Sequence, residues 1–196
     1  MKYALILGLL LNFAGLVYAD DGISEQLQSM ITLAEQGDAE AQYDLALAYD
    51  FADGAPEDHA EAVKWYIKAA EQGHMDAQYN LAVSYDDGEG VEEDDVAAAV
   101  WYRKAALQGD AKAQYNLARS YDDGEGVEVD HAEAVDWYRK AAAQDHTSAQ
   151  YNLAVSYEIG EGVDSNKDEA IKWYRRVAAQ GDTDAVERLK SLNARE

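Results

Sequence analysis

Cysteine is absent from the 196 residues. That removes disulfides, thiolate nucleophiles and lipid-anchoring thiols as explanations of anything the chain does. Proline occurs once, at Pro56, so long helices meet almost no interruption. Positive charge is scarce: 16 Lys and Arg stand against 39 Asp and Glu, a formal net charge of −23. A chain this acidic repels nucleic acid and anionic membrane surfaces. The charge serves solubility, adaptation to high salt, or attraction of a cationic partner. No stretch shows the alternation of a half-buried strand. The one long apolar run, Leu5–Val17, is too short to span a bilayer comfortably.

That run lies in a distinctive opening. Met1–Ala19 has a short basic start at Lys2, the apolar run, and small residues at Val17 and Ala19 ahead of Asp20-Asp21. This is the form of a secretory signal peptide cut after Ala19. The expectation is an exported chain beginning at Asp20, periplasmic or secreted, with no membrane insertion once the leader is gone.

What the sequence has in abundance is itself. Residues 73–108 and 109–144 align without a gap and agree at most positions. The same frame of 36 residues fits 37–72 and 145–180. Tyr43, Tyr79, Tyr115 and Tyr151 share one phase, and Trp65, Trp101, Trp137 and Trp173 another. A fixed period of this size marks a stacked array, in which each unit hides its apolar face against its neighbours. Within a unit the first helix starts at a capping Asp such as Asp38 and runs to about Asp50. Asp58 with Glu61, Asp130 with Glu133, and Asn166 with Glu169 form capping boxes for the second helix. Asp94 with Ala97 forms half of one. Ala46, Ala82, Ala118 and Ala154 allow close helix approach. Gly37, Gly73, Gly109 and Gly181 end helices in the left-handed conformation, and Asp145 must adopt it where that glycine is missing. The ends differ: 20–36 reads as a capping half-repeat, and 181–196 as a closing helix with one wet face.

The pattern A-Q-Y-x-L-A-x-x-Y-x-x-G-x-G-V followed by D-x-A-E-A-V-x-W-Y-x-K-A-A resembles the Sel1-like repeat (SLR) family, a cousin of the tetratricopeptide repeat. The resemblance covers four tandem copies. It implies an all-α, right-handed α-solenoid of helix-turn-helix repeats, a bacterial source, and the role of adaptor or scaffold. It does not fix chemistry. Some secreted relatives carry disulfides between helices; this chain departs from them.

Catalytic and cofactor patterns find little support. Tyr85–Val91 and Tyr121–Val127 contain Gly-x-Gly, but the charge is negative and no Lys-Ser/Thr follows, so a phosphate cradle is excluded. The acidic loops lack the donor spacing of an EF-hand, and their glycines serve chain reversal. His59, His74, His131 and His146 have no metal-ligand spacing and read as solvent-facing residues at helix starts. A penicillin-recognising activity is associated with some relatives, yet no Ser has Lys three residues later. The expectation is no enzyme, no cofactor and no metal. A cell-wall or β-lactam hydrolase and a divalent-cation binder stay as the rival classes.

The resemblance implies that the first helix of each pair lines the hollow side. Residues off its packing stripe are then the partner-binding candidates: Tyr43, Tyr79, Tyr115 and Tyr151; Asn80, Asn116 and Asn152; Asp86, Asp122 and Glu158; and Arg119, in phase with Leu47, Val83 and Val155. Tyr offers rigid contact area with a polar tip, and Asn can bond a peptide backbone. With so few cations there, the expected ligand is a neutral or basic peptide.

Overall fold

The computed structural model describes residues 25–193, so the expected leader and its expected cleavage point lie outside the described residues. The described chain is a right-handed α-solenoid. Its ten helices are α1 (Glu25–Glu35), α2 (Ala39–Asp50), α3 (His59–Glu71), α4 (Met75–Asp87), α5 (Asp95–Gln108), α6 (Ala111–Asp123), α7 (His131–Ala143), α8 (Thr147–Ile159), α9 (Lys167–Ala178) and α10 (Thr183–Asn193). Each helix packs chiefly on the one before and the one after it. The four pairs run α2/α3 to α8/α9, with α1 and α10 at the ends.

Small residues set the closeness of each pair. Ala46, Ala82, Ala118 and Ala154 are fully buried, as are Leu45, Leu81, Leu117 and Leu153 one position earlier. Tyr66, Tyr102, Tyr138 and Tyr174 fill the space these leave and are the largest fully buried side chains. Helix starts are closed by side chains: Asp38 accepts from the Ala41 N–H at 2.9 Å and Asp58 from Glu61 at 2.9 Å. Such caps contribute about 1 kcal/mol each.

The capping boxes are not reciprocal. Glu61 and Glu133 do not reach back to the cap; each accepts from the indole N–H of Trp65 or Trp137 one turn on, at 3.1 and 2.9 Å. Aromatic burial explains the choice, since a buried indole N–H needs an acceptor. Trp65 and Trp137 are buried, while Trp101, whose helix carries Ala97 in place of that Glu, is half-buried, as is Trp173. Lys68, Lys104 and Lys140 lie over these rings at 3.4–3.5 Å from the centroid.

Gly37, Gly73, Gly109 and Gly181 hold φ between 92° and 105°, and Asp145 takes φ 61° in the same role. Ala52 also adopts φ 54°, where later repeats carry Gly88, Gly124 and Gly160. A second glycine in each loop does more than reverse the chain. A Cβ on Gly90, Gly126 or Gly162 would lie 2.2, 1.9 or 2.0 Å from the carbonyl oxygen of His59, Asp95 or His131, the first residue of the preceding repeat's second helix. The loops of the second, third and fourth repeats are thus docked, backbone on backbone, against the unit before them.

A buried glutamine row also crosses every joint. Gln42, Gln78, Gln114 and Gln150 each donate to a helix-end carbonyl eight residues earlier, at 3.0–3.1 Å. Each also accepts from the glutamine closing its own repeat, Gln72, Gln108, Gln144 or Gln180, at 2.7–3.0 Å. No buried side-chain N or O among the described residues is left without a partner.

Candidate functional site

The candidate face is carried by α2, α4, α6 and α8. Its tyrosines are half-buried, and each ring leans on the buried tyrosine of the paired helix. Tyr43 meets Tyr66 at 6.1 Å between centroids, Tyr79 meets Tyr102 at 6.0 Å, Tyr115 meets Tyr138 at 6.0 Å, and Tyr151 meets Tyr174 edge-on at 5.5 Å. These rings therefore pack between helices and show only part of themselves outward.

The Asn and acidic candidates converge on the buried tyrosine hydroxyls. Tyr66 donates to Asp50 at 2.9 Å and accepts from Asn80 of the next repeat at 3.1 Å. Tyr102 donates to Asp86 at 3.0 Å, with Asn116 bonded to the same hydroxyl. Asn152 donates to Tyr138 at 2.9 Å, and Asp122 shares that hydroxyl. Tyr174 donates to Glu158 at 2.8 Å. Burial, reinforced by the neighbouring carboxylates and opposed by the Asn amides, raises the pKa of Tyr66, Tyr102 and Tyr138 far above the ordinary phenol value. The hydroxyls stay neutral, as donors must. The Asn amides expected to bond a visiting backbone are thus engaged inside the protein. Arg188 takes the Asn position at the far end, bonding Tyr151 and standing 3.7 Å from Glu158.

The histidines are partnered rather than solvent-facing. His74 and His146 cap α4 and α8 through Nδ1 and stack on Tyr43 and Tyr115 at 4.5 and 4.7 Å. Burial lowers the His146 pKa. His59 and His131 are half-buried bridges. Nδ1 of each meets Asp50 or Asp122, at 2.9 and 3.1 Å, and Nε2 meets Glu89 or Glu161 of the next repeat, at 3.2 and 3.5 Å. The hydrogen bond to the Asp raises both pKa values.

What the face offers outward is a shorter set. Arg119 is 46% exposed on its side chain and 3.7 Å from Asp123. Leu47, Val83 and Val155 lie half-exposed in the same phase. By helical spacing the tyrosines stand one turn before these positions, and Asp50, Asp86, Asp122 and Glu158 about one turn after them. Among the described residues no group of three or more His, Asp or Glu is arranged to hold a metal ion.

The model of the Sel1 repeat matches residues 39–74, 76–110, 111–146 and 147–182. The chain belongs to the Sel1 repeat family. Its matched units start about two residues inside the 36-residue frame counted from Gly37. The fold is similar to that of a protective antigen of uropathogenic Escherichia coli with an SLR fold (TM-score 0.81, 39% identity, 86% of this chain and 36% of that one). It is also similar to a Sel1 repeat protein of Oxalobacter formigenes (TM-score 0.73, 37% identity, 83% of this chain and 65% of that one). Helicobacter pylori cysteine rich protein B shares the fold at 22% identity and TM-score 0.53, over 68% of this chain and 96% of that one. The chain thus spans 36% and 65% of the length of the first two. No curated protein matches. Sel1-repeat proteins are in general protein-interaction scaffolds rather than enzymes. No described helix is long and apolar enough to cross a membrane.

Proposed function

We propose that the chain is an exported, non-enzymatic adaptor that captures a neutral or basic peptide segment on the face of α2, α4, α6 and α8. The observation that carries the reading is the outward row Leu47, Val83, Arg119 and Val155, bordered by tyrosine edges and by carboxylates of a chain with net charge −23. An extended or helical segment gains contact area from the apolar row and electrostatic selection from the acids. The leader-like residues 1–19 and the bacterial relatives support a periplasmic or secreted site of action.

Tyr115 and Asp122 are poor probes of this role, because they also support Tyr138 and His131. Val83→Arg with Val155→Arg is better, since the fold already accepts Arg119 at that phase. An array of basic, neutral and acidic dodecapeptides should be captured selectively, basic over acidic, by the natural chain. The double variant should lose basic capture while keeping its melting temperature. Equal capture by the variant, or preference for acidic peptides, overturns the reading.

A further inference from the structure

The tyrosine ladder has a vacancy in its pattern at the N-terminal end. By the repeat frame, Met30 of α1 stands where Tyr66, Tyr102, Tyr138 and Tyr174 stand later, and Asp44 of α2 stands where Asn80, Asn116 and Asn152 stand. A thioether replaces the hydroxyl, and a carboxylate replaces the amide that would have bonded it. Asp44 is exposed on its outer side and makes no hydrogen bond or ion pair among the described residues; partial burial and then Glu40 raise its pKa, with His74 opposing them. Between α1 and α2 a pocket of about 460 Å³ opens at this point. Leu27, Met30 and Leu47 contribute its apolar lining, Phe51 another part of its wall, and Asp44 and Asp53 its two carboxylates. Phe51 is 70% exposed, more than a lone wall residue needs to be. No Lys or Arg occurs between Lys2 and Lys64, and the His74 imidazole, whose charge favours ionised Asp44, is already engaged with Glu40 at 3.1 Å and as the cap of α4.

We infer that this pocket is a binding subsite for a cationic group on an apolar stem: the side chain of a lysine or arginine, or a hydrophobic primary amine. The stem is buried against Leu27, Met30 and Leu47, and the ammonium or guanidinium group pairs with Asp44, with Asp53 at the mouth. The two requirements reinforce each other, because excluding water from the stem strengthens the ion pair at its end. As the anchor of a bound peptide the subsite rests on the interaction reading above, but its own test does not use a peptide.

The probe is n-hexylammonium, titrated against the ¹³C-methyl resonance of Met30, with Met75 in the interior of the array as the internal control. Hexanol and hexanoate are titrated in parallel. The Met30 methyl should shift and saturate with hexylammonium while Met75 stays still. Hexanol should bind about five- to tenfold more weakly, the worth of one partly screened ion pair, and hexanoate more weakly again. Asp44→Asn should reduce hexylammonium to the level of hexanol. Met30→Tyr with Asp44→Asn rebuilds the ladder found at the later joints; calorimetry should show an unchanged or higher melting temperature and no amine binding. A still Met30 signal, equal affinity for the three probes, or undiminished amine binding by the rebuilt ladder overturns the subsite. A failed amine titration beside a successful peptide array removes the pocket and leaves the adaptor reading standing.

Discussion

The joint between the third and fourth repeats and the joint between the second and third share a backbone and differ in charge. At the later joint His131 bridges Asp122 of its own repeat and Glu161 of the next. At the earlier one the same helix-start position is Asp95, with Asp86 and Glu125 where Asp122 and Glu161 stand in the frame. Three acids replace an acid–imidazole–acid bridge. Yet Gly126 approaches Asp95 as closely as Gly162 approaches His131. The backbone contact is therefore what defines a joint, and the side-chain charge is a variable laid over it. The outer surface differs as well: Val96, Val100 and Leu107 of α5 are exposed, where the third repeat has Ala132, Asp136 and Ala143.

The largest expected effect comes from attacking the shared element. Gly126→Ala places a methyl group onto the Asp95 carbonyl and in a left-handed conformation, and should cost about 3 kcal/mol or more in urea unfolding. Gly109→Ala meets nothing within 4 Å and should cost only about 1 kcal/mol, for its φ alone. Equal losses in the two variants would refute the backbone account.

Next in size is Tyr102→Phe at the middle joint. It deprives Asp86 and Asn116 of their shared hydroxyl and should cost about 1–2 kcal/mol by the same measurement.

A smaller effect sharpens the charge contrast. Asp95→His would give the middle joint the bridge of its neighbours, worth below about 1 kcal/mol for a half-exposed ion pair. Its sign depends on pH. His59 and His131 have folded pKa values raised above the unfolded 6.5, so their contribution is fully present below that value and lost as pH rises through the raised one. Buried His146 has the opposite sign, and its contribution falls as pH drops below 6.5. Urea melts at pH 5.5 and 8 should show a larger gain at the lower pH for Asp95→His, and a loss of the acid-side stabilisation for His131→Gln. The smallest change is Ala52→Gly, which relieves a left-handed alanine but adds the chain entropy of glycine, and should stabilise by about 0.3 kcal/mol in urea unfolding.

These contrasts also show what a sequence can disclose. Helix phases, the buried alanines and leucines, and the left-handed Asp145 were all legible, because each depends on neighbours within a few residues or on the repeat itself. The partners of polar side chains were not. Asn80 finds Tyr66 across a joint, Glu61 chooses Trp65 over its own helix cap, and Gln42 joins both Ala34 and Gln72. Periodicity shows that a residue recurs, but not whether its hydrogen bonds point inward or toward a visitor. For the candidate face this distinction mattered most: Arg119 and the valines in its phase turn outward, while the Asn row and much of the acidic row are occupied within the stack. The left-handed Ala52 has no local mark, and the frame that sets Gly88, Gly124 and Gly160 at its position is the signal that discloses it.

The buried glutamines carry one more implication. Their wiring leaves each unit the same way it enters the next, through a side-chain amide on a helix-end carbonyl. A duplicate of residues 73–108 spliced in after Gln108 would find every such amide already answered, so the array can grow by whole steps without redesign. Length then becomes an adjustable ruler, setting how far apart two bound partners are held.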